Sequence, residues 1–239
     1  EIASCLVGSE MCIRDSYTAV DKAEDNQELC AKLNSEAVGY LAKAAEENQA
    51  EFIQISTDYV FDGTNYVPYR ETEPTCPNSV YGVTKLAGEK KALEYCSKAM
   101  IIRTAWLYSV FGNNFVKTMI RLGKERESLG VIFDQIGTPT YARDLASAVF
   151  AAIRKGIIPG IYHFSNEGVC SWYDFTKSIH RIAGIGNCKV SPLHTDEYPA
   201  KAPRPHYSVL DKTKIKHAYG IEIPHWEESL EQCIKELNV

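Results

Sequence analysis

The chain has 239 residues, 45% of them hydrophobic and 24% charged, which is the composition of an ordinary globular protein. Its net charge of -5 provides no general attraction to nucleic acids or anionic membranes, so neither is predicted as a partner. No apolar run approaches the roughly 20 residues that span a bilayer, and no signal-peptide pattern is present, so we predict a cytoplasmic protein.

In chain order, apolar residues first recur at helical spacing across residues 22–49, which predicts an amphipathic helix. Further helices are predicted at 78–97, 113–126, 143–155, 171–183 and 226–237, and short strands at 51–56, 100–103, 130–133 and 161–165. Strands that alternate with helices of this length indicate an α/β fold with a parallel sheet. The alternation loosens after about residue 166, which predicts a smaller C-terminal lobe packed on the sheet.

The eight cysteines and six histidines form no CxxC, HxxxH or HExxH pattern. Structural zinc needs paired ligands on tight turns, so no metal site is predicted. Scattered cysteines in a chain of this size are typical of reduced, partly buried thiols in a cytosol.

Three residues suggest chemistry at a carbonyl group. Thr57 lies where the strand predicted at 51–56 ends, and strand carboxyl ends are where doubly wound folds place their sites. Tyr81 and Lys85 are four residues apart and therefore share a helix face. A nearby ammonium lowers the pKa of a tyrosine from its usual value of about 10, and a threonine hydroxyl can hold a substrate oxygen beside it. The trio fits hydride transfer to a carbonyl, with Tyr81 supplying the proton.

The spacing alone leaves alternatives open. Tyr173 and Lys177 have the same spacing without a strand-end hydroxyl, and we interpret them as a solvated helix face. A structural tyrosine packed beneath a lysine explains Tyr81 and Lys85 equally well. The 15 glycines also form no GxGxxG, GxxGxxG or GxxxxGK[ST] pattern, so either the chain binds no nucleotide or its phosphate-binding part is missing.

Longer segments are more specific. The segments ISTDYVFDG (55–63) and YRETEPTCPNSVYGVTKLAGE (69–89) resemble the extended short-chain dehydrogenase/reductase family. RTAWLY (103–108) and RPHYSVLD (204–211) are similar to its branch that reduces nucleotide sugars. The resemblance implies a Rossmann-type doubly wound parallel sheet in residues 17–165 and a smaller substrate-binding lobe in residues 166–239, which draws on some earlier segments. It further implies NADPH- or NADH-dependent reduction of the 4-keto group of dTDP-4-dehydro-L-rhamnose, and a homodimer.

The resemblance also implies residue roles. Thr57, Tyr81 and Lys85 match the catalytic triad. The cofactor positions match Thr18, Ile55, Tyr81 and Lys85, and the dTDP-sugar positions match Thr57, Asp58, Tyr59, Trp106 and Arg204. For several positions a second interpretation stands. Arg204 fits a diphosphate or an ordinary surface arginine, Trp106 fits substrate stacking or core, and Asn34 fits a proton relay or a solvent-capped helix residue. Asn113 and Asn114 are predicted first as helix N-cap residues and only second as substrate contacts.

The chain departs from the family in two places. Arg143 stands near a position where some members bind magnesium through an acidic residue, so no metal is predicted there either. Residues 1–16 have no similarity to the family and resemble translated adapter sequence, so we expect them to be non-native. The chain then lacks the first strands and the glycine-rich turn that the family has before residue 17. This predicts an unpaired sheet edge at residues 51–56, poor folding and no turnover by this polypeptide.

Two other functions remain open at this point. One is a non-catalytic regulatory subunit resembling that of methionine adenosyltransferase, and the other is a related nucleotide-sugar reductase or epimerase. The intact triad and Trp106 favour the enzyme over the regulatory subunit, which has no need to retain them.

Overall fold

The structure is a computed structural model that describes residues 16–238. The segment expected to be non-native, residues 1–16, lies outside the described residues except for its last residue. None of the helices in the described part is both long and apolar enough to cross a bilayer.

Strands and helices alternate, as predicted. The strands are β1 (Phe52–Thr57), β2 (Ala99–Thr104), β3 (Leu107–Tyr108), β4 (Ser128–Ile132), β5 (Ile136–Gly137), β6 (Thr140–Tyr141), β7 (Gly160–His163), β8 (Cys170–Ser171) and β9 (Lys189–Leu193). The helices are α1 (Val20–Ala23), α2 (Gln27–Ala31), α3 (Ala37–Glu47), α4 (Val80–Tyr95), α5 (Phe115–Glu125), α6 (Ala142–Lys155), α7 (Trp172–Ile182), α8 (Thr213–Tyr219) and α9 (Trp226–Leu237). The predicted α/β fold with a parallel sheet is confirmed.

The main sheet has the order β1-β2-β7, and all its pairs are parallel. Every residue of β2 is buried, as expected for a central parallel strand covered on both faces. Helices α3 and α4 cover one face, and α6 and α8 cover the other. The carboxyl ends of β1 and β2 therefore open at one edge of the sheet, where Thr57 and Thr104 lie side by side in register.

The helix predicted over residues 22–49 is interrupted. A π-helical turn, Lys32–Glu36, separates α2 from α3, and α1 is a short element of its own. Single π-turns occur often near functional sites because they turn one side chain out of the regular helical face. Here the turned segment carries Asn34, whose side chain is completely buried.

The C-terminal lobe combines segments from both sides of residue 166. Strand β4 pairs with β9 in parallel, and α5 packs against α7. Its apolar core runs from Tyr108 to Ile234. The division into residues 17–165 and 166–239 stays a prediction, and this lobe takes β4 and α5 from the earlier part of the chain.

Candidate active site

The carboxyl end of β1 forms the first wall of the site. Thr57 is its last residue, and the chain continues as a 3-10 turn, Asp58–Val60. The Thr57 hydroxyl accepts a hydrogen bond from the Tyr59 amide at 3.2 Å and donates to Asp58 Oδ1 at 2.9 Å. These bonds hold the three consecutive side chains in a fixed order at the sheet edge.

Helix α4 forms the second wall. Its N-cap is Ser79, whose hydroxyl accepts from the Gly82 amide at 3.1 Å, so the helix begins immediately before Tyr81. The Tyr81 ring meets the Tyr59 ring edge-on, with 5.5 Å between centroids. Lys85 is buried, and its Nζ donates to the Ile55 carbonyl of β1 at 2.7 Å. The structure thus brings together Thr57, Tyr81, Lys85 and Ile55, which are four of the residues that the sequence proposes for the site.

Burial dominates the acid–base properties of Tyr81. Desolvation raises the pKa of its phenol to about 12, and a hydrogen bond with Thr57 opposes this rise. The pKa of Tyr81 is therefore raised and not lowered as the sequence predicts, because burial outweighs the opposing hydrogen bond. A phenol that keeps its proton at neutral pH is suited to donate that proton to a developing alkoxide.

Asp58 is a second buried acid in the same turn. Burial raises its pKa to about 6, and the hydrogen bond from Thr57 opposes the rise. Its Oδ2 atom has no hydrogen-bond partner of ordinary geometry among the described residues. Burial and the neighbouring Asp58 charge also raise the pKa of the Tyr59 phenol. The Ser208 hydroxyl also interacts with the Asp58 carboxyl and opposes the rise in its pKa.

Asn34 joins the N-terminal segment to α4. Its side chain accepts from the Tyr17 amide at 3.0 Å and donates to the Tyr17 carbonyl at 3.1 Å and to Thr84 Oγ1 at 3.3 Å. The solvent-capped interpretation of Asn34 is wrong, because the residue has no exposed surface. These bonds fix the chain immediately before Thr18, which is itself exposed.

Trp106 lies just after β2 in a strained backbone conformation, with φ of 49°. Its ring stacks on Trp172 with 3.5 Å between centroids and an interplanar angle of 11°. Trp106 is half-buried and packs against two of the apolar core clusters, so the core interpretation of this residue is supported in part. Sequence reasoning missed Trp172, which begins α7 beside Tyr173. The signal available was an aromatic residue directly after the helix N-cap Ser171.

Arg204 is paired in this structure. Its Nη2 donates to Asp21 Oδ2 at 2.7 Å and its Nη1 to Asp21 Oδ1 at 3.1 Å. This two-pronged contact raises the pKa of the guanidinium and lowers the pKa of the carboxyl. The positive charge of Arg204 opposes the rise in the pKa of Tyr59, so the two side chains interact electrostatically. Half-buried and ion-paired, Arg204 differs from an ordinary surface arginine.

The remaining predicted features lie away from this cluster. Asn114 caps α5 by accepting from the Lys117 amide at 3.2 Å, which confirms the N-cap prediction for it. Lys177 is exposed and Tyr173 half-buried on α7. Arg143 forms an ion pair with Glu236. Across residues 16–238, no group of three His, Cys, Asp or Glu side chains is placed to hold a metal ion.

The geometry fits one end of a nicotinamide cofactor. The buried ammonium of Lys85 and the phenol of Tyr81 stand at a strand carboxyl end, where they can donate hydrogen bonds to a ribose. A pyrophosphate would need a glycine-rich turn at a helix N-terminus, and the sequence contains none.

Comparison with known proteins agrees with this geometry. A family model described as "RmlD substrate binding domain" matches residues 14–239. The chain is 44% identical to a dTDP-4-dehydrorhamnose reductase of Escherichia coli K12, over 93% of this chain and 77% of that protein. A crystal structure of a dTDP-4-dehydrorhamnose reductase from Clostridium acetobutylicum is 45% identical, with a TM-score of 0.90, and the match covers 94% of this chain and 79% of that one. The Bacillus anthracis reductase, solved in complex with NADP, is 42% identical, with a TM-score of 0.89 and coverage of 92% and 78%.

Proposed function

Because the chain belongs to the RmlD substrate binding domain family, we propose that it is an NADPH- or NADH-dependent oxidoreductase that reduces the 4-keto group of dTDP-4-dehydro-L-rhamnose, giving dTDP-L-rhamnose. One observation supports this reaction above the others: the Tyr81 phenol, protonated at neutral pH, interacts with the Thr57 hydroxyl at a strand carboxyl end. The relatives described above are named reductases, which favours this reaction over a non-catalytic regulatory role or a related epimerase.

In this proposal the carbonyl oxygen of the sugar binds between Thr57 and Tyr81. The Thr57 hydroxyl turns its proton from Asp58 Oδ1 to this oxygen, and Tyr81 donates to the same atom. Together they stabilise the negative charge that develops on the oxygen during reduction. The reduced nicotinamide, when bound, supplies the hydride to the carbonyl carbon. Tyr81 then transfers its phenolic proton to the alkoxide oxygen, and the alcohol product forms.

Lys85 and Ile55 serve the cofactor side of the same proposal, together with Thr18. The Lys85 ammonium is anchored at the Ile55 carbonyl, and its remaining protons would donate to the ribose of a bound nicotinamide cofactor. After proton transfer, the same positive charge stabilises the Tyr81 phenolate until solvent replaces the proton.

The substrate contacts are assigned to Asp58, Tyr59, Trp106 and Arg204. In this proposal the buried Asp58 carboxyl accepts from a sugar hydroxyl, and the exposed part of the Trp106 ring packs against the sugar or the base. Arg204 binds the diphosphate, since its planar fork matches phosphate oxygens as it matches Asp21 here. The Tyr59 ring, which contacts the Tyr81 ring edge-on, is assigned to the sugar beside the reacting carbonyl.

The test separates substrate binding from turnover, because the sequence has no glycine-rich phosphate turn. Binding of dTDP-L-rhamnose is measured by calorimetry, and turnover is measured by the loss of NADPH absorbance with dTDP-4-dehydro-L-rhamnose. The original chain is expected to bind the dTDP-sugar and to show little turnover without a glycine-rich phosphate turn. Any turnover that it has is expected to be lost in Tyr81→Phe, which preserves binding. The matched control is Tyr173→Phe, which alters the other tyrosine of the same spacing and is expected to leave both unchanged. A chain that binds no dTDP-sugar, or a Tyr81→Phe variant with normal turnover, would contradict the proposal.

Location and assembly belong to the same proposal. We infer a cytoplasmic enzyme, which is supported by the free cysteines of the described residues, five buried and one exposed. The inferred homodimer is supported by apolar side chains exposed on α3 and α4, namely Tyr40, Val83 and Leu93. Sedimentation at several concentrations distinguishes a dimer from a monomer.

A further inference from the structure

A completely buried ion pair lies behind the catalytic residues. The side chains of Arg103 and Glu89 are 2% and 1% exposed. Arg103 Nε donates to Glu89 Oε1 at 3.0 Å and Nη2 donates to Oε2 at 2.7 Å, and the Ser56 hydroxyl also donates to Oε1. Apolar side chains of the same volume would generally serve stability as well as such a pair does. Unlike apolar side chains, the pair has a fixed geometry, because the planar guanidinium sets the orientation of the Glu89 carboxylate.

Glu89 belongs to the same stripe of α4 as the proposed catalytic residues. It follows Lys85 by four residues and Tyr81 by eight, so the three lie on one face of the helix. The residue that Glu89 contacts on β1, Ser56, stands immediately before Thr57. The helix is thus attached to the strand next to each group that the reaction uses.

Arg103 connects this attachment to the rest of the site. It lies on β2 in register with Ser56, so the strands and the helix meet at one point. Its guanidinium carbon also lies 5.1 Å from the ring centroid of Phe61, the residue that follows the turn Asp58–Val60. One guanidinium therefore contacts the helix that carries Tyr81 and the turn that carries the substrate contacts.

We propose that the Arg103–Glu89 pair is a positioning device that sets the rotation and the axial register of α4 on β1, and thereby the separation between the Tyr81 and Thr57 hydroxyls. This rests on the proposed reduction, in which both hydroxyls bind one substrate oxygen. Because a helix moves as a rigid body over two turns, a slip at Glu89 moves Tyr81 by a similar amount. A misplacement of about 1 Å at a reacting group lowers the rate on the order of a hundredfold.

Two changes test this role without leaving a charge unpaired. Arg103→Lys keeps a cation opposite Glu89 and removes the planar fork. The double change Arg103→Met with Glu89→Leu removes both charges and keeps the volume. The control is the same double change at Arg121 and Glu125, an exposed pair on α5.

Three quantities are measured: the urea midpoint, kcat and KM for the nucleotide sugar, and the 13C chemical shift of the Tyr81 ring carbon that bears the hydroxyl. This resonance is the one missing in Tyr81→Phe. We expect both test variants to unfold cooperatively, to lose about tenfold or more in kcat with KM nearly unchanged, and to shift the Tyr81 resonance. The control variant keeps all three values.

A double variant that unfolds like the original chain, with normal kcat and an unmoved Tyr81 resonance, would show that the pair only fills space. Should the double variant not fold, Arg103→Lys decides by the same criteria. If the original chain has no turnover, as expected without the glycine-rich half, the urea midpoint and the Tyr81 resonance carry the test, and a resonance that both variants leave unmoved overturns the positioning role.

Discussion

Replacing Gly82 by alanine tests how closely α4 must approach the substrate turn. A Cβ atom at this position would overlap the Tyr59 carbonyl oxygen, at less than 3.0 Å. It would also lie 3.1 Å from the Tyr59 carbonyl carbon and 3.0 Å from Pro77 Cβ. Two of these three atoms belong to the backbone, so no side-chain rotation relieves the overlap. Either α4 or the turn Asp58–Val60 has to move, and Tyr81 moves with it.

The size of the effect follows from two opposing contributions. Overpacking costs about 1–3 kcal/mol, and alanine gains at most about 1 kcal/mol over glycine in a helix. We therefore expect the free energy of unfolding to fall by roughly 0–3 kcal/mol. Turnover is more sensitive, because a displacement of about 1 Å between Tyr81 and Thr57 lowers kcat on the order of a hundredfold.

The assay combines urea unfolding with NADPH-dependent turnover of the nucleotide sugar. The matched control is Gly186→Ala, since a Cβ at that exposed position meets nothing within 4 Å and the backbone there needs no left-handed conformation. Its unfolding and turnover should equal those of the original chain. A Gly82→Ala variant that unfolds and turns over normally would refute the reasoning, because it would mean that α4 and the turn separate freely.

Three further changes test the site by stability. Burial raises the pKa of Asp58 from 3.8 to about 6, so the original chain is expected to lose stability as the pH rises from about 4 to about 6. Asp58→Asn removes this titration and is expected to abolish that loss. Urea midpoints that run parallel for both chains between about pH 4 and about pH 6 would contradict this. Trp172→Ala removes the ring on which Trp106 stacks and is expected to lower the free energy of unfolding by about 3 kcal/mol or more. Its near-ultraviolet circular dichroism should be weaker than that of the original chain. An unchanged spectrum would disprove the stacking. Asn34→Ala breaks buried hydrogen bonds to Tyr17 and Thr84 and is expected to cost about 1–3 kcal/mol, whereas Asn48→Ala, which breaks an exposed bond to the Ala44 carbonyl, should change the urea midpoint little.

Local patterns in the sequence were enough to predict the elements that carry the site. Hydrophobic periodicity predicts a helix at residues 226–237, where α9 has the same bounds, and a strand at 51–56, where β1 lies one residue further on. The strand-end position of Thr57 and the shared helix face of Tyr81 and Lys85 follow from the periods of strand and helix alone. The site roles themselves stay predictions that the variants above test.

Depth of burial could not be predicted in the same way. The sequence places an ammonium four residues from Tyr81, and from that spacing a lowered pKa was expected. In the folded chain the phenol is shielded by Thr57, Tyr59 and its own helix, and desolvation raises the pKa instead. Asn34 shows the same limit, since a polar residue in a helix pattern gives no sign that it is completely buried.

The sequence by itself determined the fold class, the order of elements and the motif that carries the proposed chemistry, because these depend on intervals of two to four residues within one strand or helix. Only the tertiary structure decided that Glu89 faces Arg103, that Trp172 stacks on Trp106 and that Arg204 pairs with Asp21. The last pair is separated by 183 residues. Such contacts form only when the helices pack on the sheet, where apolar burial and the pairing of charges have to be satisfied together. The two partners of each contact are too far apart in the sequence for a local pattern to reveal them.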